Sequence, residues 1–308
     1  MGKSNKSILR ALVILFVICF VIKDIEFLYI KTDSTVIGEN IICKIVCIIA
    51  TVITVHKLGY KLSDIGFKNK SVIRYAICGL GLGIVTFAIS YGIELMILAI
   101  SGANPKLSVY ITNFGLNGAT NEISLSFTAV VICVIGNVVN VLAEEGLFRG
   151  IILKSVSDIW GFRTGNYIQA LLFGCWHIIS CVLGVKDGSM TIGMAFVFAI
   201  GYVVLAGILA IEWGTCVNMT GVLWVGMFEH FFNNFVSNAV HVLSTGTDGI
   251  IEADNMQILR IVLSNILSLT IVLIVNSRKK SRDCQFINSL EKKRIHDKMN
   301  HNRTQKIC

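Results

Sequence analysis

Apolar residues fill eight long stretches of the chain, and short polar segments separate them. A helix needs about 20 predominantly apolar residues to cross a bilayer, and these stretches are close to that length or exceed it. They cover residues 8–28, 40–58, 73–100, 123–148, 164–184, 190–212, 217–240 and 257–276. The pattern therefore predicts an all-α polytopic membrane protein, a bundle of about eight transmembrane helices.

Basic residues between the stretches predict the orientation in the membrane. The amino terminus, the 57–74 and 149–163 connections and the segment after the last stretch are all rich in Lys and Arg, and basic loops mark the cytoplasmic side. With eight spans these segments share one side, so both termini are expected in the cytoplasm. The first stretch could also be a signal peptide, but Lys23, Asp24 and Glu26 lie near its end, where a small-residue cleavage site is needed, which favours a retained helix.

The composition agrees with a membrane location. Of the 308 residues, 54% are hydrophobic and only 15% are charged, whereas a soluble domain carries about 25% charged residues. Most of the net charge of +8 lies after residue 275, where ten Lys or Arg oppose three Asp or Glu. This placement indicates contact with anionic lipid and argues against nucleic-acid binding. None of the ten cysteines belongs to a CxxC pair, so we interpret them as small buried hydrophobic residues.

We divide the chain into four parts. Residues 1–122 hold the first three helices and their loops, and residues 123–240 hold helices four to seven, the candidate catalytic core. Residues 241–276 hold the last helix with a preceding loop, and residues 277–308 form a basic cytoplasmic tail. The 101–122 segment, rich in Asn, Gly and Thr, predicts a loop. The tail lacks apolar periodicity and is expected to be mobile or weakly helical.

Two glutamates and an arginine lie at the end of the fourth stretch, where an ionisable side chain is costly unless it faces a polar interior. Glu145 and Arg149 are four residues apart with the acid first, the favourable order for an ion pair on a helix. Glu144 points about 100° away from Glu145 on an α-helix and has no cation close by in the sequence. A carboxylate partly removed from water is suited to take a proton from a water molecule. The alternative is a solvated helix end at the cytoplasmic surface.

Two further pairs share the four-residue spacing. Phe173 and His177 lie on one face of the fifth stretch, and His230 and Asn234 lie on one face of the seventh. Each pair alone has an ordinary explanation, because a histidine can be a hydrogen-bonded packing residue and an asparagine can bond between helices. Together with Glu144, the pairs predict that three separate helices bring a carboxylate and two imidazoles to one site.

Position along the helices supports this convergence. We expect the fourth helix to continue to residue 157 and the seventh to begin near residue 217. With a further edge near Arg163, Glu144 and His230 would lie about 13 residues from the cytoplasmic edge and His177 about 14, or roughly 20 Å along the helix at 1.5 Å per residue. The three side chains would occupy one layer of the bilayer, open to the cytoplasm.

These side chains fit two chemistries. In the first, Glu144 is the general base, and His177 helps it to hold a water molecule. His230 and Asn234 then donate hydrogen bonds to the developing oxyanion. In the second, Glu144, His177 and His230 bind a zinc ion that activates the water. The sequence lacks the HExxH signature of metalloproteases, but a zinc-dependent mechanism is still an alternative.

The order and spacing of the motifs resemble the CAAX protease and bacteriocin-processing (CPBP, Abi) family of intramembrane endopeptidases, which is related to the type II CAAX prenyl endopeptidases. The resemblance covers residues 124–239. It implies an eight-helix membrane endopeptidase whose site lies in the bilayer and is reached from the cytosol. The better-supported mechanism of the family is of the glutamate type and requires no cofactor, with zinc as the alternative. The positions that match the family's functional residues are Glu144, Glu145, His177, His230 and Asn234, and the motifs also include Arg149 and Phe173.

Two positions depart from the family pattern. Glu229 precedes His230, where an apolar or small residue is expected. An ionised Glu229 needs a polar cavity or a cation, and Arg260 in the last helix is one candidate partner. The turn after Trp224 also lacks the proline that is often found there. Both departures bear on the shape of a substrate pocket, and neither removes a motif residue.

The residues and the resemblance together predict an intramembrane endopeptidase that hydrolyses a peptide bond near the cytoplasmic membrane face. The expected substrate is a peptide or protein, lipidated or membrane-associated, and the expected location is a bacterial plasma membrane. Roles in bacteriocin processing or self-immunity are typical of the family. Two other functions stay open. One is a non-catalytic immunity or scaffold protein of the same fold, and the other is a proton-coupled transporter, because buried His and Glu also serve proton relays.

Overall fold

The computed structural model describes residues 4–32, 40–111, 126–245, 251–252 and 256–304. The helices are α1 Asn5–Ile25, α2 Ile41–Leu58, α3 Val72–Ile100, α4 Phe127–Glu144, α5 Leu153–Trp160, α6 Phe162–Trp176, α7 Ile179–Lys186, α8 Ile192–Thr220, α9 Trp224–Ala239 and α10 Gln257–Thr304. Two π-helical segments, Glu26–Ile30 and Glu145–Ile152, and a 3-10 turn, Leu62–Ile65, adjoin them. The strands are β1 Lys106–Val109, β2 Val240–Thr245 and β3 Ile251–Glu252.

Apolar helices dominate the fold. Within the described residues, six helical stretches are long and apolar enough to cross a bilayer, namely Ile41–Leu58, Val72–Ile100, Phe127–Trp160, Phe162–Lys186, Ile192–Thr220 and Gln257–Arg282. This confirms the all-α polytopic membrane class, and the chain is an integral membrane protein. The two other predicted stretches correspond to α1 and α9. Because α9 has 16 residues, it is shorter than the roughly 20 that a crossing needs. Eight spans and two cytoplasmic termini stay predictions.

The boundary that we predicted between the sixth and seventh stretches is wrong. We expected a break between residues 212 and 217, but α8 continues to Thr220 and α9 begins at Trp224. Gly221 ends α8 because its φ of 71° is a left-handed conformation that glycine adopts at low cost. His230 therefore lies within the first two turns of α9, and the argument from depth fails for this residue.

A small antiparallel sheet occupies part of the predicted loops. β1 lies inside the 101–122 segment and pairs with β2, with Lys106 opposite Leu243 and Val109 opposite Val240. β2 also pairs with β3, so the loop predicted before the last helix contains two strands. Valine and threonine favour strands, and β2 contains two valines and one threonine. Such short runs are hard to recognise beside apolar stretches of membrane length.

The described part of the carboxyl-terminal tail is helical. The chain forms two units, Met1–Leu269 and Thr270–Cys308, and α10 makes up the described part of the second. We expected a mobile or weakly helical tail, and its described residues, up to Thr304, belong to α10. Lys, Arg and Glu favour helix even without an apolar face, so the lack of apolar periodicity was a poor guide here.

Close helix contacts position the two helices that lead to the histidines. α3 packs against α9, and α6 packs against α8. A Cβ atom at Gly79 would lie 2.3 Å from the carbonyl oxygen of Val225, and one at Gly174 would lie 2.7 Å from that of Val203. Only glycine permits these approaches, as is common where membrane helices meet. The resulting contacts fix α9 and the end of α6 next to the candidate site.

Candidate active site

The helix that carries the two glutamates changes its winding at the motif. α4 ends at Glu144, the π-helical segment Glu145–Ile152 follows, and α5 continues to Trp160. The fourth helix thus extends past residue 157, as predicted. π-Helical turns occur frequently at functional sites, and every residue of this one is buried. The two carboxylates lie at the junction and face different neighbours.

Glu144 is buried between α2 and α6. Its Oε1 accepts a hydrogen bond from Trp176 Nε1 at 3.0 Å and lies 3.3 Å from Nζ of Lys44 in α2. Lys44 Nζ also donates to Oδ1 of Asn140, one turn before Glu144 in α4. Glu144 therefore has a cation, but from a distant part of the chain, and these contacts leave its Oε2 facing α9.

Glu145 and Arg149 form the ion pair that their spacing predicts. Arg149 Nη1 lies 3.4 Å from Glu145 Oε1, and both residues are buried. The guanidinium carbon of Arg149 also lies 3.9 Å from the ring centre of Phe173 and 4.5 Å from that of Trp213. Arg149 is thus a buried cation that makes cation–π contacts with two aromatic rings. The alternative of a solvated helix end at this motif does not fit these contacts.

His230 connects the two glutamates from α9. Its Nδ1 lies 3.0 Å from Glu145 Oε1, and its Nε2 lies 3.7 Å from Glu144 Oε2. The second distance is too long for a hydrogen bond. The imidazole is stacked on the indole of Trp213, with ring centres 4.2 Å apart and planes inclined by 17°. One face of the ring and one edge are thus fixed, and the Nε2 edge is directed toward Glu144.

His177 approaches the site less directly. Its Nδ1 is hydrogen-bonded to the backbone oxygen of Phe173 at 2.8 Å, and because a carbonyl oxygen only accepts, Nδ1 carries the proton. The Phe173 ring packs edge-on against His177 at 4.8 Å and against His230 at 6.2 Å, so it contacts both imidazoles. His177 lies within electrostatic range of Glu144. The described hydrogen bonds of Glu144 do not include His177.

Asn234 stands apart from the other motif residues. It lies one turn after His230 and is half-buried. Among the described residues, its side-chain amide makes no hydrogen bond with the glutamates or the histidines, and its backbone oxygen accepts from Asn238 Nδ2 at 2.8 Å. The structure therefore brings together six of the seven motif residues, by direct contact or through Phe173, namely Glu144, Glu145, Arg149, Phe173, His177 and His230.

Two buried lysines lie at the site, and we did not identify them as site residues from the sequence. Besides Lys44, Lys23 in α1 donates from Nζ to the backbone oxygen of Trp176 and lies 4.3 Å from the centre of its indole ring. The signal was available, because a lysine inside an apolar stretch is as unusual as a glutamate there. Neither lysine belongs to a motif, and helical spacing cannot connect them with residues more than 90 positions away.

The structure gives Glu229 a different partner from the one predicted. Oε2 of Glu229 accepts a hydrogen bond from Trp213 Nε1. Arg260 instead forms a buried ion pair with Glu94, with Nη1 2.7 Å from Oε2. Glu94 lies in α3 and Arg260 in α10, so no spacing rule could have joined them.

The donor set does not suit the zinc alternative. A catalytic zinc site needs three protein ligands, and the candidates were Glu144, His177 and His230. Among the described residues, no three or more His, Cys, Asp or Glu side chains are grouped to hold a metal ion. The hydrogen bonds of both histidines occupy Nδ1, so each could offer only Nε2 to a metal, and Lys44 supplies positive charge beside Glu144. We therefore derive no step through a metal.

Comparison with known proteins identifies one region of similarity. Residues 126–236 match the family described as Rce1-like, type II CAAX prenyl endopeptidase Rce1-like. The match covers roughly a third of the chain, from the start of α4 into α9, and includes all three motifs. It confirms the resemblance to the CAAX protease family. A comparison with curated proteins found no match. Lys23 and Lys44 lie outside the matched segment.

Proposed function

We propose that this chain, similar over residues 126–236 to type II CAAX prenyl endopeptidases, is an integral membrane endopeptidase that hydrolyses a peptide bond near the cytoplasmic membrane face. The observation that carries the proposal is the different surroundings of two adjacent buried carboxylates. Glu144 is bound by Lys44 and Trp176, whereas Glu145 is bound by Arg149 and His230. One carboxylate can therefore exchange a proton while the other keeps the site assembled.

The first step is the attack of water on the scissile carbonyl. Glu144 takes a proton from a water molecule that His177 helps to hold, and the water oxygen forms a bond with the carbonyl carbon. The electron pair of the carbonyl π bond moves to oxygen, which gives a tetrahedral oxyanion. General-base catalysis of this kind contributes about 10²- to 10⁴-fold in rate.

The oxyanion needs hydrogen-bond donors in a site that excludes water. His230 suits this task when both ring nitrogens carry protons, because Nδ1 donates to Glu145 and Nε2 then donates to the oxyanion. Asn234, one turn further along α9, supplies the second donor once substrate is bound. Catalytic hydrogen bonds often form fully only in the substrate complex, which accounts for the position of Asn234 in the free protein.

The tetrahedral intermediate then collapses. The oxyanion re-forms the carbonyl as the carbon–nitrogen bond breaks, and Glu144 returns its proton to the departing amine nitrogen. The products are a carboxyl group and an amine, and Glu144 is again ionised beside Lys44. The lysine compensates the resting charge of Glu144, since an uncompensated buried carboxylate is strongly unfavourable.

The substrate in this proposal is a peptide or protein, lipidated or otherwise membrane-associated. Such a chain reaches a site inside a helix bundle without leaving the bilayer surface. Both termini lie in the cytoplasm of a bacterial cell, whose plasma membrane holds the protein. The basic tail, residues 277–308, binds anionic lipid there, because clustered Lys and Arg next to a span are attracted to acidic headgroups.

Purified protein in lipid nanodiscs, given a library of quenched fluorescent peptides with and without a lipid anchor, tests the proposal. We expect hydrolysis by the wild type and a loss of about 100-fold or more in Glu144→Gln and His177→Ala. Asp158→Asn, which changes a carboxylate at the surface end of α5, is the control. Unchanged hydrolysis in both site variants would reject the assignment. Inactivation by a strong chelator would instead favour the zinc alternative.

A further inference from the structure

Trp213 is a buried residue of α8 that belongs to none of the three motifs, yet it contacts one member of each, including the ring of Phe173 at 6.0 Å. Its indole is stacked on the imidazole of His230 at 4.2 Å, and the Arg149 guanidinium lies 4.5 Å from its ring centre. Arg149 and His230 are the two partners of Glu145. The indole thus contacts both groups that hold this carboxylate.

The orientation of the indole is itself fixed by a side chain that the motifs leave without a role. Trp213 Nε1 donates a hydrogen bond to Oε2 of Glu229, the neighbour of His230 in α9. Glu229 is 1% exposed. Rotation of the indole about its χ2 angle would break this bond, so Glu229 determines which way the ring plane faces.

The backbone around Trp213 is held on two sides. A Cβ atom at Gly226 in α9 would lie 3.0 Å from Trp213 Cβ, and one at Gly214 would lie 1.9 Å from Oδ1 of Asn166 in α6. Gln169 Nε2 also donates to the backbone oxygen of Ala210 in α8 at 2.8 Å. These contacts leave α8 little freedom to rotate, so the indole keeps a constant position against α9.

Ordinary core packing does not explain this pair. A buried carboxylate carries a desolvation cost that a leucine of similar size would avoid, and a phenylalanine would fill much of the space of the indole. The Nε1–H and the carboxylate serve each other, and what they fix is the plane of a polar ring. An aromatic stack without this anchor would contribute apolar contact but would not select one orientation.

We propose that Trp213 and Glu229 are positioning residues: their hydrogen bond fixes the indole plane, and the indole in turn fixes the imidazole of His230 with Nε2 directed toward Glu144. The consequence for catalysis rests on the proposed function. A misplaced donor weakens stabilisation of the transition state more than substrate binding. The pair also accounts for the carboxylate at position 229, where the family pattern favours an apolar or small residue.

The orientation can be measured without any assay of activity. Protein with isotope-labelled histidine is prepared in nanodiscs, and the ring signals of His230 are assigned from a His230→Asn variant. In the wild type the stacked indole gives the His230 ring a distinct chemical shift. We expect this signal to move and broaden in Trp213→Phe. Trp224→Phe is the matched control, because it removes a different indole hydrogen bond, to the backbone oxygen of Lys68, and should leave the His230 signal in place.

The activity measurement separates positioning from packing. We expect Trp213→Phe to lower kcat about 10- to 100-fold with KM within about twofold of the wild type. The double variant Trp213→Phe/Glu229→Leu removes the carboxylate that Trp213→Phe leaves without its donor, so thermal stability should return while kcat stays low. A double variant that regains wild-type kcat would show a packing role and overturn the proposal.

The two measurements fail in different ways. If no peptide is hydrolysed by the wild type, the proposed function is at fault, and the histidine signals still decide whether Trp213 and Glu229 orient His230. If hydrolysis depends on Glu144 but the His230 signal is the same in Trp213→Phe as in the wild type, the positioning proposal is wrong and the proposed function stands.

Discussion

Glu144 and Glu145 are neighbours in the chain, but their side chains lie in different regions of the protein. Glu144 faces α2 and α6, where Lys44 and Trp176 bind its Oε1. Glu145 faces the π-helical segment and α9, where Arg149 and His230 bind it. Neighbouring helical residues point about 100° apart, so two identical groups lie in two environments.

The two environments also have different origins in the sequence. The partners of Glu145 all lie inside residues 126–236, the segment that matches the Rce1-like family. Glu144 has Trp176 inside that segment but depends on Lys44 from α2 for its cation. The supporting pair can therefore form within the matched segment, whereas the proposed base is completed by the amino-terminal helices. The matched segment alone therefore lacks one of the contacts of the proposed base, the cation of Lys44.

The largest expected effect comes from neutralising each of the two carboxylates in turn. We predict that Glu144→Gln lowers kcat by about 10²- to 10⁴-fold, because an amide cannot accept the proton of water. Glu145→Gln should act mainly on stability, since it leaves Arg149 without its carboxylate. Kinetic assays and denaturant unfolding of the same two preparations provide the measurement. If Glu145→Gln proved the more damaging to kcat, the roles assigned to the two residues would have to be reversed.

The helical architecture could be predicted because its cause is local. Each membrane-length apolar stretch is visible in the sequence, and α2, α3, α4 and α10 begin close to the expected residues. The errors have physical reasons. A single glycine, Gly221, ends α8 several residues later than we predicted. Short strands are difficult to identify in a sequence that is dominated by long apolar stretches. The described part of the tail is helical because its charged residues favour helix, a property that apolar periodicity does not report.

The candidate site was predictable only where its contacts follow helical spacing. The Glu145–Arg149 pair is such a contact, and so is the contact between Phe173 and His177. Lys44 and Trp213 were not predictable, because they meet Glu144 and His230 through the packing of separate helices. A charged or aromatic residue in an apolar stretch can be recognised as unusual, but its partner is decided by tertiary structure.

The second prediction tests the buried ion pair between Glu145 and Arg149. Arg149→Met leaves Glu145 buried without its cation, and removing one partner of a buried pair costs about 3–5 kcal/mol of unfolding free energy. Adding Glu145→Gln to Arg149→Met should recover much of this loss, because the uncompensated charge is gone. Denaturant titration in mixed micelles, followed by circular dichroism, measures both. Equal stability of the single and double variants would mean that Arg149 acts only through its contacts with Phe173 and Trp213.

The third prediction tests the contribution of the amino-terminal helices. Lys44→Met removes the cation beside Glu144, and a hydrogen bond to a charged group contributes about 1.5–3 kcal/mol. We expect a loss of this size in the unfolding free energy and a lower kcat. Lys57→Met, at the exposed end of the same helix, is the matched control. A double-mutant cycle with Glu144→Gln should show coupling between the two sites, and additive effects would remove Lys44 from the active site.

The smallest expected effect comes from a surface ion pair that has the same four-residue spacing as the buried one, with the base first. Lys154 and Asp158 are also four residues apart, with Nζ 2.6 Å from Oδ1, but their side chains are 35% and 40% exposed. Water already solvates both charges, so Asp158→Asn should change the unfolding free energy by less than about 1 kcal/mol and leave hydrolysis intact. Run beside Arg149→Met, this variant compares an exposed ion pair with a buried one at the same four-residue spacing, although it removes the acid of its pair and Arg149→Met removes the base. A loss as large as that of Arg149→Met would show that the helix segment after the glutamates is sensitive to any change of charge, and the contrast between the regions would then reflect the segment and not its buried pair.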